Sequence, residues 1–180
     1  MREYKIIVLG SMGAGKTTLV RTVANGTVID TDVDNTDQGS AKLTTTVAMD
    51  YGDVDLPNGD RLRLYGSPGQ GRFDFVWPVL LEGATGVVVL VDASTAEEAD
   101  RFENYLDVLE RHAANVPCVM GLVKLDLAPQ ASPDDYYHRL EARGRTLPLI
   151  PLDPRDEDQV MMLMDALMSE IESSDLVSNA

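Results

Sequence analysis

The segment Gly10-Ser11-Met12-Gly13-Ala14-Gly15-Lys16-Thr17 follows the apolar run Tyr4 to Leu9 and precedes a helix-forming stretch. Glycines at this spacing let the chain turn tightly enough for successive backbone N–H groups to converge on one anion, which is what a phosphate-binding loop requires. Lys16 adds a point charge for terminal phosphates, and Thr17 offers a hydroxyl to Mg²⁺. The helix that opens here aims the positive end of its dipole at the same anion. A polyphosphate is therefore expected to touch Gly10, Ser11, Gly13, Ala14, Gly15, Lys16, Thr17 and Thr18.

Such a loop needs a strand on one side and a helix on the other, and the chain alternates the two throughout. Strands are expected at residues 4–9, 45–51, 61–65, 86–92, 117–123 and 147–152, several of them continuous Val/Ile/Leu runs suited to burial on both faces of a parallel sheet. Asn58-Gly59 between the second and third signals a hairpin, so these two pair antiparallel at one side of the sheet. Helices are expected at 16–25, from a capping box at Ser94 and Glu97 to about Ala113, between Ser132-Pro133 and Gly144, and at 156–172. In the last, Val160, Leu163, Met164, Leu167, Met168 and Ile171 fall on one face, the spacing of a core stripe; its methionines also suit an adaptable partner groove. The result is a three-layer α/β domain with six strands, mostly parallel, and its ligand at the carboxyl ends of the strands. Asn25 to Leu43 is long, polar and irregular, a profile that fits a functional loop.

With 180 residues and 44% hydrophobic side chains, the chain suits one domain over 1–180, its last few residues forming a tail. No run approaches a membrane span and no signal peptide opens the chain, so a cytoplasmic location is expected. Cys118 is the sole cysteine, and its apolar neighbours mark it as a small core residue. A net charge of −15 opposes general affinity for nucleic acid or anionic membranes. No lipidation signal supplies a direct membrane anchor.

In order, these elements resemble a Ras-like small GTPase over nearly the whole chain, and so imply the P-loop NTPase (small G-protein) fold. Thr44-Thr45-Thr46-Val47-Ala48-Met49-Asp50-Tyr51 is similar to the first switch region, in which a threonine holds Mg²⁺ and senses the γ-phosphate; Thr46 aligns best, with Thr44 and Thr45 as neighbouring registers. Leu64-Tyr65-Gly66-Ser67-Pro68-Gly69-Gln70-Gly71-Arg72-Phe73 is similar to the second switch. The resemblance implies that the Gly69 N–H meets the γ-phosphate and that Gln70 orients the attacking water. Gly66 stands where the family usually has aspartate, and this form resembles the MglA-like prokaryotic branch. Val123-Lys124-Leu125-Asp126 is similar to NKxD, which implies that Asp126 reads guanine and that Lys124 covers the base plane; Val123 replaces the asparagine. Leu152-Asp153-Pro154-Arg155 occupies the place of the last family loop without matching it, leaving only a backbone donor to expect there.

The resemblance implies slow hydrolysis of GTP to GDP and phosphate with Mg²⁺, in which Lys16 and Gln70 do the catalytic positioning and Thr17 and Thr46 hold the metal. It further implies a switch read by an effector, a Roadblock-type activating protein, and a role in bacterial signalling, polarity or motility. Two other classes share the loop. A nucleotide-binding module with little or no hydrolysis is suggested by Gly66 and Val123. A small P-loop kinase would carry an arginine-rich lid, toward which only Arg139, Arg143 and Arg145 cluster.

Overall fold

The computed structural model describes residues 1–25, 28–30, 49–95 and 97–178. The continuous aliphatic runs become β1 (Glu3–Gly10), β5 (Gly86–Asp92) and β6 (Cys118–Val123) at the centre of one sheet. Because side chains alternate along a strand, each run feeds two cores. Ile6 and Val8 of β1 pack with Leu19 of α1 (Lys16–Val23) and Leu163 of α5 (Glu157–Ser178). Ile7 and Leu9 pack on the other face with Trp77 of α2 (Trp77–Leu81), Phe102 of α3 (Glu97–His112) and Leu140 of α4 (Pro133–Ala142). The three-layer α/β architecture follows, with the parallel strands buried on both faces.

The remaining strands are β2 (Val28–Asp30), β3 (Asp50–Asp55), β4 (Arg61–Gly66) and β7 (Leu149–Pro151), and the sheet order is β2-β3-β4-β1-β5-β6-β7. From β4 to β7 every pairing is parallel, whereas β3 runs antiparallel to β4. The six anticipated strands are present, and the three-residue β2 adds a seventh on the outer side of β3. The expected strand at 45–51 is displaced: β3 spans Asp50–Asp55, and residues 45–48 lie outside the described part. Asp50, Gly52, Asp53 and Asp55 are weak strand formers, so register and packing override propensity here. Asp55 pairs with Arg61 across the hairpin, and Arg61 Nε donates to Asp55 at 2.7 Å. Gly52 lets α1 lie close, since a Cβ there would be 3.0 Å from Ala24 Cβ. The hairpin turns where expected, the Gly59 N–H donating to the Leu56 carbonyl at 2.9 Å with Gly59 at φ 87°.

Three helices depart from expectation. Ser94 does not open α3: its hydroxyl and N–H both donate to Asp92 Oδ1, at 2.6 and 2.9 Å, and the helix begins at Glu97. α5 continues six residues past 172 to Ser178, where no glycine or proline stops it and Arg2 pairs with Asp175. The segment Gly71–Val76 forms a 3₁₀ turn running into α2, anchored by Trp77, which stacks on Tyr105 at 5.3 Å. α4 opens as anticipated: Ser132 Oγ accepts from the Asp134 N–H at 3.2 Å, and the Asp135 carboxylate accepts from the Ser132 N–H at 3.3 Å. Met164 is buried in the core, while Met161 and Met162 are exposed. Among the described residues no helix is long and apolar enough to cross a membrane.

Candidate functional site

The carboxyl ends of β1, β5 and β6 fall on one side of the sheet because the three strands are parallel. β1 ends at Gly10, and the chain turns through the loop into α1, whose N-cap Gly15 sits at φ 96°. Gly13 is also left-handed, at φ 80°. Few side chains tolerate that region, so the glycine spacing sets the loop's shape. The first N–H groups of a helix have no partner within it, so the start of α1 offers donors that an anion at the loop can complete.

Lys16 is 7% exposed and arches over this loop, donating from Nζ to the Gly10 carbonyl at 2.9 Å and to the Ser11 carbonyl at 2.7 Å. Gly69 presses against it from the segment after β4. A Cβ on Gly69 would lie 2.7 Å from Lys16 Nζ and 2.7 Å from the Met12 backbone nitrogen, so only glycine fits. Gln70 follows directly and is exposed. Arg72 is exposed as well, whereas Arg101 of α3 reaches the backbone beside Gln70: a Cβ on Gly71 would lie 2.6 Å from its Nη2.

Thr17 Oγ1 donates to Asp50 Oδ2 at 2.6 Å. A hydroxyl and a carboxylate side by side at the start of α1 are hard oxygen donors, the chemistry that Mg²⁺ takes, so these residues fit that ion. Among the described residues there is no cluster of three or more His, Cys, Asp or Glu placed to hold a metal by themselves. A cation here would therefore share its coordination with phosphate oxygens and water.

Beyond the loop lies a cavity of about 660 Å³, framed by Gly13, Gly15 and Thr18 on one side and by Lys124, Asp126 and Arg155 on the other. Lys124 adopts a left-handed backbone, φ 61°, which costs a non-glycine residue energy and needs a restraint. Asp92, at the end of β5, supplies it by accepting from Lys124 Nζ at 2.6 Å. Burial works to raise the pKa of Asp92, but bonds from Lys124 and Ser94 outweigh it and hold the group below the ordinary carboxylate value. Asp92 therefore stays ionised at neutral pH.

The segment 152–155 corrects one expectation. The Asp153 N–H donates to Gln159 Oε1 at 2.8 Å, Pro154 has no N–H, and the Arg155 N–H donates to Asp153 Oδ1 at 2.9 Å. Residues 153 to 155 thus have their backbone donors engaged within the protein, and any donor they give a ligand must come from the Arg155 guanidinium. That group grips Asp153, whose carboxyl is drawn down to about 2 by the side-chain and backbone bonds from Arg155. Pro154 packs on the loop, a Cβ on Gly15 lying 2.7 Å from its Cγ. Its carbonyl accepts from Thr22 Oγ1 at 2.9 Å.

The structure thus brings Gly10, Ser11, Lys16 and Gly69 into contact. It sets Gly13, Ala14, Gly15 and Thr18 around the same cavity as Lys124 and Asp126. Thr46 lies outside the described residues, as do Thr44 and Thr45. Val123 is fully buried and lines the cavity without a polar side-chain group to offer. Sequence reasoning missed Asp50, Asp92 and Arg101. Two signals were available: an acidic residue closing the apolar run Gly86–Asp92, and a glycine at 66 whose missing carboxylate points to the paired strand. Cys118 is in the core as expected, and burial pushes its thiol up to about 12.

A family model described as a conserved hypothetical ATP binding protein matches residues 25–178, which begins after the phosphate loop. An uncharacterized protein of Methanocaldococcus jannaschii is 34% identical over 92 residues, 51% of this chain and 53% of that protein. The chain thus spans about half the length of that relative. Ras-related protein Rab-18-B of Danio rerio is 26% identical over 175 residues, 95% of this chain and 80% of the relative. Ras-related protein Rab-5B of Plasmodium falciparum is 21% identical over 173 residues, 95% and 79% of the two chains.

Proposed function

We propose that this chain, which belongs to the family described as conserved hypothetical ATP binding proteins, is a guanine-nucleotide switch that slowly hydrolyses GTP to GDP. The observation that carries this reading is that the phosphate loop and Asp126 line the same cavity. A carboxylate there accepts from the ring N–H and amino group of guanine and has no such pair of donors to meet on adenine. Likeness to Ras-related proteins over 95% of the chain supports the same choice of base.

The residues divide the work between binding and positioning. Gly10 to Thr18 surround the phosphates, with Lys16 moving its ammonium from the loop carbonyls to phosphate oxygens. Asp126 and Lys124 hold the base, Lys124 with its stem along the ring and its charge fixed on Asp92. Thr17 and Thr46 would hold Mg²⁺, which would supply neutralisation of the phosphate charge. Gln70, presented on the surface just after Gly69, orients the attacking water. No covalent intermediate is needed. Loss of the γ-phosphate frees the segments around Thr46 and Gly69 to rearrange, and that change of shape is what an effector and a Roadblock-type activating protein would read. We place this switch in a bacterial cytoplasmic signalling, polarity or motility process.

Mass identification of nucleotide co-purified with the chain, with affinities for GTP, GDP and ATP, tests the base assignment; equal affinity for ATP and GTP would overturn it. Asp126→Asn is expected to weaken GTP by about 100-fold, since hydrogen bonds to a charged group are worth roughly 1.5–3 kcal/mol each. The same variant should gain xanthosine triphosphate, whose 2-oxo group accepts from the new amide. A second reading, a module that holds nucleotide with little turnover, is favoured by the exposure of Gln70 and by valine at 123. Phosphate release in a single-turnover assay with GTP alone decides between the two.

A further inference from the structure

We propose that Asp50, at the head of β3, is the carboxylate of the divalent-cation site, acting from the strand beside the position where Gly66 provides none. The proposal rests on the nucleotide reading above and deepens it. Thr17 gives its only hydroxyl proton to Asp50 at 2.6 Å, so its lone pairs are turned away from the carboxylate and remain for a cation at the phosphates. The sheet register sets Asp50 opposite Gly66. A Cβ on Gly66 would lie 3.0 Å from Asp50 Oδ2 and 3.1 Å from Asp50 Cβ, so the Asp50 side chain fills the space that a side chain at 66 would take.

The other acids of β3 are committed elsewhere. Asp53 and Asp55 both pair with Arg61, at 3.8 and 2.7 Å. Asp50 lies two residues before Gly52, whose Cβ direction meets Val20 and Ala24, and so shares the face turned to α1 and the phosphate loop. Placed there, Asp50 fixes the Thr17 rotamer and adds negative charge beside the terminal phosphates. Its free lone pairs would accept hydrogen bonds from waters retained by a bound Mg²⁺. Gly66 is the counterpart of this arrangement, since a larger residue would evict the carboxylate.

Release of a fluorescent GDP analogue from the full chain, in millimolar Mg²⁺ and in excess EDTA, tests the role apart from turnover. Asp50→Asn keeps an acceptor for Thr17 and removes the charge. It should release nucleotide about 10-fold or more faster than the wild type in Mg²⁺, the usual size of an effect on metal affinity from a residue behind the ligands, and at the wild-type rate in EDTA. Asp50→Gly should behave likewise, and adding Gly66→Asp should restore Mg²⁺-dependent retention. Equal Mg²⁺ retardation in Asp50→Asn and wild type would overturn the proposal while leaving the nucleotide reading intact. So would a doubly substituted chain that melts like the wild type yet releases as fast as Asp50→Gly. A wild-type chain that retains no purine nucleotide would overturn both.

Discussion

Lys16→Ala will bind guanine nucleotide about 100-fold more weakly than the wild type. The ammonium is almost enclosed and donates to the carbonyls of Gly10 and Ser11, so it is already positioned at the loop's mouth. Moving it to phosphate exchanges neutral acceptors for charged ones, a gain of roughly 1–1.5 kcal/mol per bond, and two such exchanges correspond to about two powers of ten in affinity. The substitution removes a buried charge and leaves the strand and helix that frame the loop in place, so thermal stability without nucleotide should change little. Titration of a fluorescent nucleotide checks the first statement, and a melting curve checks the second. A dissociation constant within threefold of the wild type would mean that the phosphates lie elsewhere.

Gln70→Leu is expected to separate turnover from binding. Gln70 is exposed and lies outside the contacts that hold the loop, so nucleotide affinity should stay within about twofold of the wild type. Its assigned task is to place one water, and misplacing a reacting group costs about 100-fold in rate. Single-turnover phosphate release from preloaded GTP measures this directly. A rate equal to the wild type would take Gln70 out of the reaction and turn attention to Arg101, which stands beside the same backbone.

The parts of this molecule that were legible in its sequence are those governed by local rules. Glycine spacing marked the phosphate loop, continuous aliphatic runs marked β1, β5 and β6, and Asn58-Gly59 marked the hairpin. What escaped was decided by contacts between distant segments. β3 starts with an aspartate and contains a glycine, neither of which favours a strand; its place is set by pairing with β4 and by the close approach of α1. Ser94 had the spacing of a helix cap, yet the Asp92 carboxylate lies two residues back and captures its hydroxyl. The candidate site divides the same way. Lys16, Gly69 and Asp126 were found by motif, whereas Asp50 and Asp92 act across strands and have no fixed offset from the residues they serve.

Cys118 gives the protein a built-in reporter. As the sole thiol, buried in the core at the start of β6 with its ionisation suppressed, it is inert toward alkylating reagents while the fold stays closed. Labelling therefore proceeds only through transient opening of the central strands, and its rate follows the population of open molecules. A ligand that binds the closed form alone slows that modification in proportion to its occupancy. Nucleotide and metal effects can thus be timed on unaltered protein, with no tag and no engineered probe.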